Sequence, residues 1–292
     1  MPFLEEIMAV VTRDNPKAKP RETTDVSLPT MDNAPPTELK DSIIFIYGRK
    51  GIGKTSLASQ FPDSLTFMFE RGRRNLPIRM VPKPDDPKLD WGLFLDYVDL
   101  AINSDTVTTL VIDTVDRAYE QCMHYVCKQN GCKHPNDKND YGKTWNMVKD
   151  EFDAVLGLIQ DSGKGLVLLS HEAPKALNKT SKGLRREDSE AQFQYERLEP
   201  TCSKQAFQTV QEICDYVFYY GYTDEYRTIT VRSPNDTCWT SCGITDTFLD
   251  PEGTPVLSFR VGNNPTDAYK ALLAAHNNEL YDVNYIPPKV KK

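Results

Sequence analysis

Gly48, Gly51, Gly53, Lys54 and Thr55 fall within Gly48-Arg49-Lys50-Gly51-Ile52-Gly53-Lys54-Thr55, the spacing G-x-x-x-x-G-K-T. A loop of this kind lets backbone N–H groups wrap a phosphate, and the helix that follows points its amino end at the same anion. The three glycines permit close approach and the positive φ angles that side chains oppose. The Lys54 ammonium is then expected to reach the β- and γ-phosphates, and the Thr55 hydroxyl to ligate magnesium. Gly48, Arg49, Lys50, Gly51, Ile52, Gly53, Lys54, Thr55 and Ser56 are therefore the candidate nucleotide contacts, with ATP and Mg2+ as the expected ligand and metal.

Such chemistry also needs carboxylates. Asp113 closes the apolar run Leu110-Val111-Ile112, the Walker B arrangement, and is the second candidate magnesium ligand beside Thr55. Thr114 follows it, so a base that activates water must come from elsewhere. Glu70 closes Leu65–Phe69 and is placed to orient or deprotonate an attacking water; as a surface carboxylate it would instead pair with Arg71, Arg73 or Arg74. Asp116 and Glu120 stand in reserve. His171, after Leu168-Leu169-Ser170, can touch a γ-phosphate and move the following loop when that phosphate leaves; a histidine capping a strand end is the plainer alternative. Lys54, Glu70 and His171 form the expected catalytic set.

Between His171 and Arg186 five basic residues, Lys175, Lys179, Lys182, Arg185 and Arg186, face one acid, Glu172, in a chain of net charge −7. A basic loop near the γ-phosphate can grip a phosphodiester backbone, and these five are the candidate DNA contacts, although a solvated charge run is common and Glu187, Asp188 and Glu190 soon reverse the sign. Cys122, Cys127, Cys132, His124 and His134 lack the paired C-x-x-C spacing of a zinc site, and the cysteines read as core or surface thiols.

The elements that must position these groups alternate. Strands are expected at Ile43–Tyr47, Leu65–Phe69, Thr108–Ile112, Leu166–Leu169 and Tyr216–Tyr220. Helices are expected after the glycine loop, after Asp90 as a cap, over Val115–Gln129, through Trp145–Ile159 and around Lys204–Ile213. Almost wholly apolar strands alternating with helices predict an α/β fold, a mostly parallel sheet covered on both faces, with ligands at the carboxyl ends of the strands. Gly48, Glu70, Asp113 and Ser170-His171 then share one edge. The stretch Glu172–Ser203 is polar and reads as unpacked, and Tyr226–Val231 alternates as a further strand. The organisation expected is a flexible arm at 1–40, rich in Pro, Thr, Asp and Lys with a short apolar segment at Phe3–Val11, a core at 41–232 and an extension at 233–292 that ends in a helix from Thr266.

An overall pI of about 5.3 excludes a protein that coats nucleic acid over its whole surface, leaving only a local patch for such contact. Seven cysteines without scaffold spacing, and no secretory signal before them, point to reduced thiols in the cytoplasm. No apolar run is long enough to cross a bilayer.

Taken in order, Tyr47-Gly48 to Thr55, Phe69-Glu70, Leu110 to Thr114, Tyr141-Gly142-Lys143-Thr144-Trp145 and Leu169 to Glu172 resemble the phage-encoded P-loop ATP-binding proteins with an AAA or RecA-like core that are related to phage single-strand-annealing recombinases. The resemblance runs from about Ser42 to Tyr220. It implies a RecA-like fold, ATP hydrolysis with the catalytic Glu after the second strand, homo-oligomers with nucleotide between subunits, single-stranded DNA binding, and a role in phage recombination or replication in the host cytoplasm. Family members often carry glycines directly after that Glu, where this chain has Arg71. A cation acting in trans would be expected, with Arg227 or Arg232 as candidates. Two other readings share the loop: a P-loop kinase of a nucleotide or small molecule, and an assembly protein switched by nucleotide.

Overall fold

All six residues of β1 (Ile43–Gly48) are buried, so the strand runs through the middle of the molecule with both faces covered. In the computed structural model it pairs in parallel with β5 (Gly165–Lys179) on one side and β7 (Tyr216–Thr223) on the other. Beyond β5 come β4 (Thr109–Asp113), β2 (Ser64–Met68) and the short β3 (Met80–Val81), all parallel. Beyond β7 come β8 (Tyr226–Thr230) and β10 (Ser258–Arg260), both antiparallel to their neighbours. β6 (Phe193–Pro200) pairs with the outer part of β5, and β9 (Ser241–Cys242) with β7. Among the described residues the order is β10-β8-β7-β1-β5-β4-β2-β3. The structure describes residues 38–70, 76–83, 86–179 and 193–280, with the backbone alone at 177–179 and 193–195. These residues belong to one compact unit, Thr37–Lys292. The expected arm, except Glu38–Lys40, lies outside them.

Side chains alternate across β1, and each set meets its own layer. Ile43, Phe45 and Tyr47 join Phe67, Trp91, Phe94 and Phe152 under α2 (Trp91–Ile102), α3 (Val115–Gln129), α4 (Lys143–Asp161) and α5 (Lys204–Ile213). Ile44 and Ile46 join Leu57, Tyr216, Phe218, Phe248 and Leu272 under α1 (Lys54–Ala58) and α6 (Pro265–His276). Ile44, Phe45 and Ile46 are fully buried, which contributes about 1.5–3 kcal/mol each. The fold is thus α/β with a mostly parallel sheet and helices on both faces. Asp90 caps α2 as expected, its carboxylate accepting from Leu93 N at 2.8 Å.

The register sets one edge of the sheet level. Gly48 lies opposite His171 and Tyr220, and Asp113 lies opposite Met68 and Leu169. β5 separates the glycine-loop strand from the Asp113 strand.

The stretch beyond His171 departs from expectation. β5 continues to Lys179 and pairs antiparallel with β6 in unbroken register, Glu172↔Pro200 to Lys179↔Phe193. A two-stranded ribbon satisfies its backbone across the ladder without an apolar face, so its sequence carries no burial signal. Residues of the 233–280 segment also enter the main layers: β10 extends the sheet, and α6 packs on α1, with the Phe61 and Tyr269 ring centroids 5.0 Å apart. Among the described residues no helix is long and apolar enough to cross a membrane.

Candidate functional site

Nothing larger than glycine fits at Gly48, the last residue of β1. A Cβ built on Gly48 would sit 2.0 Å from the carbonyl oxygen of Tyr220 on β7. Gly48→Ala must push β7 off β1, and the midpoint of chemical denaturation is expected to fall by the equivalent of about 1–3 kcal/mol; an unchanged midpoint would contradict this strand packing. Past Gly48 the loop turns through Gly51 (φ 82°) and Gly53 (φ 113°), left-handed conformations that a side chain would strain. α1 opens at Lys54 with Gly53 as its cap residue.

Lys54 is 5% exposed, and its ammonium donates to Gly48 O (2.7 Å) and Arg49 O (3.1 Å). Carbonyls of the loop itself thus hold the cation in the concave side of the turn. Thr55 Oγ1 donates to Asp113 Oδ2 at 2.6 Å, both groups buried. This hydroxyl–carboxylate pair, joining α1 to the end of β4, is the donor set expected of a hard cation that takes oxygen ligands. The glycine cradle, buried ammonium and Thr55–Asp113 pair together fit a triphosphate with magnesium.

Glu70 is anchored from behind, since Phe69 N and Glu70 N both donate to Asp113 O, at 2.8 and 3.4 Å. Its carboxylate Oε1 lies 3.0 Å from His171 Nε2 and accepts from Thr114 Oγ1 at 3.4 Å. On the other side of the ring, His171 Nδ1 lies 3.4 Å from Lys54 Nζ. An ammonium only donates, so the Lys54 contact needs a bare Nδ1, and the ring proton then sits on Nε2, aimed at Glu70. The three residues expected to be catalytic form a chain, Lys54 to His171 to Glu70, though 117 residues separate Lys54 from His171.

Behind this chain lies a clasp that sequence reasoning missed. Asp116 accepts from Ser170 Oγ (2.8 Å) and Thr201 Oγ1 (2.5 Å), while Thr201 N donates to His171 O (2.9 Å). The base of the β5–β6 ribbon is thereby tied to α3 directly behind His171. Asp116 is committed to this clasp, and Glu120 bonds Arg117 at 2.5 Å, so neither reserve carboxylate matches the placement of Glu70. The nearest signal in the sequence was the polar Ser170 at the end of an apolar strand.

Among the other expected residues, Arg49 and Lys50 are exposed at the tip of the loop, Ile52 is buried in the α1 layer, and Ser56 is half-buried on α1. Lys175 is exposed on the ribbon and bonds Glu199 at 2.7 Å; Arg197 shares that carboxylate and reaches Asp236 at 2.7 Å. The side chain of Lys179, and Lys182, Arg185 and Arg186 entirely, lie outside the described residues, as do Arg71, Arg73 and Arg74. Cys122 and Cys127 are buried in α3, and the His134 ring packs edge-on against Trp145.

The two candidate trans cations are both held within their own chain. Arg232 donates to Phe248 O and Val256 O, each at 3.0 Å, and to Thr247 O at 3.2 Å, closing the 233–280 segment over β8. Arg227 lies beside its own glycine loop, 3.7 Å from where a Gly53 Cβ would be. Its bond to the Tyr222 hydroxyl raises its pKa further, and burial pushes the neighbouring Tyr220 phenol up despite the guanidinium beside it.

The sequence pattern of a family described as "AAA domain" matches residues 40–241. No curated protein matches the chain. Among solved structures, a KaiC-like protein of the hyperthermophilic archaeon Pyrococcus horikoshii is similar at a TM-score of 0.41 and 12% identity, over 78% of this chain and 88% of that one. At that distance no residue correspondence is carried across.

Proposed function

This chain belongs to the AAA-domain family of P-loop proteins, and we propose that it is a magnesium-dependent ATPase of RecA-like type that works on single-stranded DNA. The observation that carries the hydrolytic part is the convergence of Lys54, His171, Glu70 and the Thr55–Asp113 pair on one sheet edge.

The loop amides and Lys54 seat the triphosphate, and the ammonium exchanges the carbonyls of Gly48 and Arg49 for phosphate oxygens, which are stronger acceptors because they are charged. Thr55 and Asp113 would hold magnesium, which would offset the negative charge of the triphosphate. Glu70 orients the attacking water and takes its proton, with His171 and Thr114 fixing the carboxylate. When Lys54 turns to phosphate, His171 Nδ1 loses its donor and the ring is free to shift. The β5–β6 ribbon starts at the next residue, Glu172, so ring movement at His171 is passed to the ribbon.

The DNA part rests on the basic run Lys175–Arg186 and on the resemblance to phage recombination proteins, which also supports a homo-oligomer with nucleotide between subunits, acting in phage recombination, repair or replication in the host cytoplasm. Phosphate release is expected to rise several-fold when single-stranded DNA is added, with the particle enlarging in ATP. If release is unchanged and a labelled oligonucleotide does not bind with ATP present, the DNA reading fails.

One observation favours a second reading. A cavity of about 510 Å³ opens beside Glu70, lined among others by Lys50, Lys88, Arg117 and His124. It has room for a phosphoryl acceptor, as a small-molecule kinase would need. Stoichiometric transfer of phosphate to an acceptor instead of water would decide for it.

A further inference from the structure

The reading of the site as a triphosphate seat gives the bound molecule a direction. Lys54, Thr55–Asp113 and Glu70 gather over the ends of β1, β4 and β2, so the terminal phosphate lies there, and the nucleoside leaves on the opposite side of the loop, over β7 and β8. That side is built. Arg227 Nη1 and the Tyr220 hydroxyl face the loop at Gly53, 3.7 and 3.8 Å from where a Cβ on that residue would be. Arg227 is fixed in turn: Nε donates to Tyr222 Oη at 3.3 Å and Nη1 to Asn263 O at 3.2 Å. Tyr220 and Tyr222 are two apart on one strand and share a face. Tyr220 is buried against the loop, whereas Tyr222 continues the same row into solvent and is 51% exposed.

We infer that Tyr222 and Arg227 form the nucleoside end of the site, the Tyr222 ring stacking on the base and the Arg227 guanidinium facing the ribose and α-phosphate. This rests on the nucleotide reading above and adds the part that tells a nucleotide from a bare polyphosphate. An exposed ring is poorly placed to stabilise the fold, and here it is held by a cation directly beside a phosphate loop. Every base offers a π face, so such a platform takes the base by stacking more than by its edge pattern. Asn263, which holds Arg227 from the far side, lies beyond residues 40–241 that match the family. The segment after 241 therefore supplies one wall of the site.

The test titrates the full chain with Mg-ATP, Mg-ADP and magnesium tripolyphosphate, comparing wild type with Tyr222→Ala and Tyr222→Phe. Wild type is expected to bind ATP more tightly than tripolyphosphate. Tyr222→Ala should weaken ATP and ADP by about tenfold, the scale of one base–aromatic stack, and leave tripolyphosphate unchanged, while Tyr222→Phe keeps ATP binding within about twofold. An unchanged ATP affinity in Tyr222→Ala, or a parallel loss of ATP and tripolyphosphate, overturns the inference. Wild type that binds ATP and tripolyphosphate equally also overturns it but leaves the nucleotide reading standing; wild type that binds neither removes that reading as well.

Discussion

Lys54→Ala is expected to bind Mg-ATP at least about a hundredfold more weakly and to release no phosphate above background, because charge-assisted bonds to phosphate and transition-state donors each contribute on this scale. The lysine is nearly fully buried, and its ammonium donates to Gly48 O and Arg49 O at 2.7 and 3.1 Å. Neutral carbonyls are weaker acceptors than phosphate oxygens, so the cation is held ready and its transfer to the ligand costs little. Alanine removes the charge and leaves two loop carbonyls without their donor, a cost of about 1–3 kcal/mol each if water cannot reach them. Circular dichroism therefore accompanies the measurement, to separate a lost fold from a lost site. Lys54→Arg is the sharper control. It keeps the charge, but a planar five-donor fork does not fit the space of a compact ammonium, and most binding should still be lost. Fluorescent-nucleotide titration that finds the alanine variant within tenfold of wild type would remove Lys54 from the phosphate seat.

How far the sequence discloses this site depends on the distance over which each signal acts. The glycine loop, its strand and the Asp113 strand end are local patterns, and all three appear where they were expected. The level edge of Gly48, Glu70, Asp113 and His171 follows from parallel strands alone. The hydrogen-bond chain does not, because it requires β5 to lie between β1 and β4, and the order of strands in a sheet is not a periodicity. The Asp116–Ser170–Thr201 clasp joins three segments and, for the same reason, leaves only the polar Ser170 as a local trace. The ribbon after His171 was hidden because its polar residues are satisfied by partners far along the chain, such as Lys175 with Glu199. Arg227, expected as a candidate cation for a neighbouring subunit, lies beside its own loop, which the sequence did not disclose. The turn at Asp224, at φ 55°, folds β8 back on β7 and returns Arg227 to its own loop, and nothing in the alternation of Tyr226–Val231 tells which strand it joins.

Glu70→Gln should separate binding from chemistry: nucleotide affinity within a few-fold of wild type, and phosphate release lower by about 10²–10⁴, the range of general-base catalysis. The side chains are isosteric, and the glutamine carbonyl still accepts from His171 Nε2 and Thr114 Oγ1, so the local bonds survive the change. Backbone placement survives as well, since Phe69 N and Glu70 N hang on Asp113 O without help from the carboxylate. What disappears is the ability to take a proton from water. A loss of that size corresponds to about 3–5 kcal/mol in the barrier, larger than any packing effect expected from an isosteric change at a side chain 21% exposed. Asp116→Asn serves as the contrast. Its carboxylate is already spent on Ser170 and Thr201, so it should loosen the ribbon base and affect turnover only indirectly. Single-turnover phosphate release, measured beside equilibrium nucleotide binding, reads both effects. Glu70→Gln with near wild-type release, or a loss of binding equal to the loss of rate, would mean that the carboxylate positions the nucleotide and that the proton leaves by another route.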